Sequence, residues 1–104
     1  MSRWITVANV NELPPGQRKI VEVEGKKIGI IRTDDGAFHA IEDRCTHDDG
    51  PLAEGELDGK AIVCPRHGAR FDLATGKALT LPAFGFTGHW PVRVEGDKVE
   101  IEFQ

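Results

Sequence analysis

Apolar and polar residues alternate one by one near the end of the chain, where Glu100 and Glu102 separate Val99, Ile101 and Phe103. A period of two is that of a strand with one face on a core and the other in water. Val92-Arg93-Val94 lies just upstream, and Glu95-Gly96-Asp97 is a short glycine-containing turn, so the segment reads as a hairpin. A second hairpin is predicted from Lys19–Val23, the turn Glu24-Gly25, and Lys26–Ile31. A further strand is expected over Ala37–Glu42 after Asp34-Asp35-Gly36, and a first short one around Ile5. Asn11-Glu12-Leu13-Pro14-Pro15-Gly16 is dense in turn residues and reads as an irregular loop. No segment sustains an apolar period of 3.6 over several turns, so the predicted class is all-β.

Composition narrows the picture. A chain of 104 residues suits one domain, 1–104, with one buried core. Its 39% hydrophobic and 29% charged residues are those of a folded protein. A net charge of −4, with acidic and basic residues interspersed, lacks the basic stripe that nucleic-acid binding requires. The N-terminus has no basic n-region or apolar h-region, and no apolar run reaches the length of a membrane span. A cytoplasmic location without membrane contact is expected, and only two cysteines suit a reducing compartment.

From Asp43 to Ala69 the pattern changes. Turn residues, charges and both cysteines crowd together, and Ala61-Ile62-Val63 is the one clear strand there. Cys45-Thr46-His47 and, after sixteen residues, Cys64-Pro65-Arg66-His67 each bring one thiolate and one imidazole onto a tight turn. Two sulfurs and two nitrogens are the donors of a [2Fe-2S] cluster in which histidines replace cysteines on one iron. The same donors could hold a structural zinc ion. Order argues against zinc, whose modules usually pair cysteine with cysteine and histidine with histidine, whereas here each half mixes the two. Gly50 and Gly68 follow the two ligand pairs and permit close backbone approach, and Pro65 and Pro82 stiffen the same surface.

At these residues the sequence resembles the Rieske ferredoxin family. The likeness runs from about Ile5 to Phe103 and rests on Ala40–His47, Gly55-Glu56-Leu57, Cys64–Asp72, Gly76-Lys77-Ala78 and Pro91–Val94. It implies an antiparallel β-sandwich with a small inserted cluster-binding subdomain over about 43–72. One Rieske-type [2Fe-2S] cluster would be held by Cys45, His47, Cys64 and His67, beneath a third, proline-containing loop at Leu81-Pro82-Ala83-Phe84. The quinol-oxidising branch carries an extra cysteine in each ligand loop, and here Gly50 and Arg66 stand at those positions. That branch also places a serine and a tyrosine near the cluster, and the matching positions are Ala69 and Phe71. Two missing hydrogen-bond donors imply a potential near the low end of the Rieske range, about −150 mV rather than about +300 mV.

What the resemblance leaves is a carrier, not itself an enzyme. It would take single electrons from a flavin-containing, NAD(P)H-dependent reductase and give them to a non-haem iron oxygenase of the ring-hydroxylating type. Both partners would dock transiently at the His47/His67 edge, and a monomer is expected. The small Rieske subunit of an assimilatory nitrite reductase is the alternative within the family. A zinc-stabilised interaction module and a redox sensor are the readings outside it. His39 and His89 read as structural or surface groups, and Trp4 and Trp90 as packing residues. Asp48 and Asp49 read either as groups that steer a partner or as a solvated turn, and Arg66 as a partner contact or a cap for a neighbouring carboxylate.

Overall fold

The computed structural model describes residues 3–44, 52–65, 68–81, 83 and 85–103. Within them run the strands β1 (Arg3–Asn9), β2 (Arg18–Val23), β3 (Lys26–Arg32), β4 (Phe38–Glu42), β5 (Leu57–Asp58), β6 (Ala61–Val63), β7 (Arg70–Asp72), β8 (His89–Trp90), β9 (Val92–Glu95) and β10 (Lys98–Phe103). They pair antiparallel in three sheets, ordered β1-β10-β9, β2-β3-β4-β8 and β5-β6-β7. The fold is an all-β sandwich, as expected, with the small third sheet set between β4 and β8 along the chain.

The C-terminal hairpin follows its alternation, with Val99, Ile101 and Phe103 buried and the residues between them partly or wholly exposed. The β2–β3 turn has positive φ at both central positions, 49° at Glu24 and 84° at Gly25, the twist that joins two hairpin strands without splaying them. In β1 the register slips between Thr6 and Ala8, and Val7 and Ala8 both turn inward. Val10–Glu12, placed by the sequence partly in an irregular loop, is one turn of 3-10 helix. Glu12 closes it by accepting the backbone N–H of Asn9 at 2.7 Å.

Two apolar clusters meet at the four-stranded sheet. One face, with Ile28, Ile30 and Ala40, packs on Val99, Ile101 and Phe103 of the first sheet. On the other face Ile31 and Ile41 join Leu52, Ile62, Cys64, Ala69, Phe71, Leu73 and Ala83. Gly29 sits on this second face, where a Cβ would lie 2.4 Å from the Cβ of Ala53. The absent side chain lets the chain beyond the first ligand segment settle on β3. Trp90 stacks on Phe103 with ring centroids 5.9 Å apart, and Arg93 lies 4.2 Å over the ring of Trp4, so both tryptophans are packing residues.

Candidate metal centre

Cys64 follows β6 directly, and β7 begins at Arg70. The Cys64 N–H donates to the carbonyl of Ala69 at 2.6 Å, and the Gly68 N–H donates to the carbonyl of Cys64 at 3.0 Å. These two bonds close a tight turn over 64–69, which Gly68 completes with φ of 73°. Cys64 is 1% exposed and packs into the second apolar cluster, so its sulfur is withdrawn from water. Arg66 and His67 lie outside the described residues.

Cys45, His47, Asp48, Asp49 and Gly50 also lie outside the described residues, but both ends of their segment are defined. The Asp43 N–H donates to the carbonyl of Lys27 at 2.9 Å, extending the tie of β4 to β3. Its side-chain Oδ1 accepts the N–H groups of Leu52 at 2.8 Å and Ala53 at 2.7 Å. The Thr87 hydroxyl donates to the carbonyl of Arg44 at 2.8 Å, and the Glu42 N–H donates to the carbonyl of Gly88 at 2.8 Å. Arg18 of β2 donates through Nη1 to the carbonyls of Ala53, at 2.7 Å, and Gly55.

The two ligand segments converge at their bases. The Val63 N–H donates to the carbonyl of Glu56 at 2.9 Å. A Cβ on Gly55 would lie 1.7 Å from the carbonyl oxygen of Val63, so only glycine permits this approach. The exit of the first segment therefore rests on the strand that delivers Cys64. Two thiolates and two imidazoles, the donor set expected from the sequence, would suit a centre with sulfur donors to one iron and nitrogen donors to the other. An open groove beside Cys64 is lined by Glu54, Gly55, Glu56, Val63, Pro65 and Gly68.

The third loop is tied to the same sheet. Leu79 donates its N–H to the carbonyl of Arg70 at 2.7 Å, and Thr80 Oγ1 accepts the N–H of Arg70 at 2.9 Å. Ala83 is buried, whereas Leu81 is 85% exposed, Phe86 65% and Leu79 52%. Pro82 and Phe84 of the expected loop lie outside the described residues.

His39 and His89 sit away from Cys64, on β4 and β8. His39 is half-buried, and its Nε2 has no hydrogen-bond partner among the described residues. Burial pushes its pKa down, against the opposing charges of Asp35 and Asp72.

Thr87 and Arg18 escape a reading of the sequence, and Asp43 and Gly55 enter it only within stretches that resemble the family, without a role. The available signals were faint: a turn-forming aspartate two positions before Cys45, and a glycine just ahead of Glu56-Leu57.

The description of the Rieske [2Fe-2S] domain family matches residues 3–91. The ferredoxin component of a naphthalene 1,2-dioxygenase system from Pseudomonas aeruginosa is 36% identical, over 96% of this chain and 95% of its own length. The ferredoxin subunit of a biphenyl dioxygenase from Pseudomonas sp. (strain KKS102) is 36% identical, over 91% of this chain and 87% of its own. Among solved structures, a chain in the complex of reduced oxygenase and oxidised ferredoxin of carbazole 1,9a-dioxygenase superposes with a TM-score of 0.86. It is 34% identical and the match covers 94% of this chain and 91% of that one.

Proposed function

The chain belongs to the Rieske [2Fe-2S] domain family, and we propose that Cys45, His47, Cys64 and His67 hold its cluster and that it works as a low-potential electron carrier. In this reading it passes single electrons from an NAD(P)H-dependent flavin reductase to a non-haem iron oxygenase of the ring-hydroxylating type. The supporting observation is the junction of Gly55-Glu56 with Val63, which brings the base of the Cys45/His47 segment against the strand leading into Cys64.

When bound, the cluster supplies one-electron chemistry, with the two thiolates on one iron and the two imidazoles on the other. The protein's own part is positional. Cys64, buried at the head of its turn, offers a sulfur shielded from water, and burial of a centre is one of the levers that set its potential. The bonds between Cys64, Gly68 and Ala69 hold both ends of the stretch that carries His67. Outer-sphere transfer needs no bound substrate, and the groove beside Cys64 is lined by two glutamates, Glu54 and Glu56. We therefore read the protein as a carrier component, not itself an enzyme, in one domain with its cluster-binding part over about 43–72.

Both partners dock at the His47/His67 edge in this reading, and Leu79 and Leu81, on the stretch bonded to β7, are exposed apolar side chains of the kind that interfaces use. A monomer in the cytoplasm fits this traffic; among the described residues no helix is long and apolar enough to cross a membrane. The dioxygenase relatives favour the oxygenase partnership over the nitrite reductase alternative, and family membership favours the cluster over zinc.

The test is purification of the protein beside His47→Ser and His67→Ser. The parent should be brown, with about two irons and two sulfides, and should give an EPR signal only after reduction. Each variant should lose or alter the visible spectrum and shift the midpoint potential. A colourless parent, or variants with unchanged spectrum and midpoint, would reject the assignment.

A further inference from the structure

The segment carrying Cys45 and His47 enters from β4 at Glu42 and returns at Leu52, and both ends are fixed by contacts that involve neither proposed ligand of that segment. At the return, Leu52 and Ala53 are 0% exposed, and Arg18 and the gap at Gly29 hold Ala53 against β2 and β3. At the entrance, Thr87 holds the carbonyl of Arg44. One oxygen joins the two ends, Asp43 Oδ1, which accepts both the Leu52 and the Ala53 N–H. A carboxylate oxygen has the two lone pairs this requires, and a charged acceptor makes each bond stronger than a neutral one would.

We propose that Asp43 is a positioning residue for the iron–sulfur centre: its carboxylate closes the base of the Cys45/His47 segment and presets that segment to receive and retain the cluster. Closing a loop costs chain entropy, and a tie that exists before the cluster arrives removes that cost from cluster binding. Thr87 is the second positioning residue, acting on the entrance. It is itself seated by its N–H, which donates to the carbonyl of Gly76 at 2.8 Å. Gly76 has no room for a side chain, since a Cβ would lie 2.3 Å from the Thr87 carbonyl oxygen. The inference rests on the proposed ligand set.

Three substitutions at two sites separate geometry from charge. Asp43→Ala leaves two buried N–H groups without their acceptor. Asp43→Asn keeps a carbonyl oxygen in the same place, able to accept both. Thr87→Val removes the hydroxyl at constant shape, and Thr87→Ser restores it. Holoprotein is challenged with an iron chelator, and cluster loss is followed by visible absorption. Asp43→Ala should lose its cluster at least about tenfold faster than the parent, the effect of about one such bond felt in full, and Asp43→Asn should stay within about threefold.

Thr87→Val should be faster than Thr87→Ser. The EPR g-values of the reduced protein should move in Asp43→Ala and return in Asp43→Asn. In apoprotein, amide exchange at Leu52 and Ala53 should accelerate in Asp43→Ala alone. Parent-like release, g-values and exchange in Asp43→Ala would overturn the proposal. If that variant does not fold, equal release from Thr87→Val and Thr87→Ser would overturn it instead. A His47→Ser control separates the two levels: altered by His47→Ser but indifferent to Asp43→Ala, the protein keeps its ligand assignment and loses only this role for Asp43.

Discussion

Arg18 Nη1 donates a 2.7 Å hydrogen bond to the carbonyl oxygen of Ala53 and a second to that of Gly55, so one guanidinium on β2 grips the backbone on the return side of the first ligand segment. Arg18→Ala leaves both carbonyls without this donor. It should lower stability by about 2 kcal/mol, the scale of hydrogen bonds made by a charged group. Denaturant unfolding of holoprotein checks this, and Arg18→Lys should recover only part of the loss because its ammonium is more strongly hydrated and reaches one bond less far.

Gly55→Ala should be far more damaging. Its Cβ would fall 1.7 Å from the Val63 carbonyl oxygen, which belongs to backbone and cannot swing aside. Separating the two segments there should cost about 3 kcal/mol or more and lower cluster occupancy, read as iron per protein and visible absorbance. Gly59→Ala is the control: no atom lies within 4 Å of its Cβ position, although its φ of 61° makes some strain unavoidable.

Ala69 and Phe71 are both 0% exposed, and the family resemblance matches them to positions where a high-potential branch would carry hydroxyl donors. The parent midpoint should lie near the low end of the Rieske range, about −150 mV. Ala69→Ser and Phe71→Tyr should each raise it by stabilising the reduced, more negative state. Protein-film voltammetry gives the comparison, and an unchanged midpoint in both variants would remove the hydrogen-bond explanation.

His39 predicts a particular pH dependence. Burial holds its folded pKa below 6.5, so the unfolded chain takes up this proton at a higher pH than the folded one. Its contribution to stability is complete above the unfolded value and is lost as pH falls below about 6.5 towards the folded pKa. His39→Gln should flatten that limb. The difference between parent and variant denaturation midpoints, measured from pH 8 to 5, isolates this residue from the other histidines.

The parts of the fold legible in the sequence are those with repeated local signals. Val99, Ile101 and Phe103 announced β10, and Glu24-Gly25 fixed the register of β2 against β3. Strands β5, β7 and β8 have two or three residues each, too few to show a period, and exist because strands distant in sequence or across a turn offer them partners. Of the candidate site only the proposed ligands were legible, as an expectation, because cysteine and histidine spacings are local. The residues that brace it were not: Thr87 and Arg44 are 43 positions apart, and nothing around either one names the other.

The run Ile28-Gly29-Ile30-Ile31 has apolar groups on both sides of β3, and the four-stranded sheet accordingly serves as a party wall between two rooms. Neither room can be refurnished alone. A bulkier group in place of Ile30 would press the shared backbone towards Ile31 and Ala53, so a change made on the side remote from Cys64 would be felt at the redox end, and sequence drift on the two faces should be correlated.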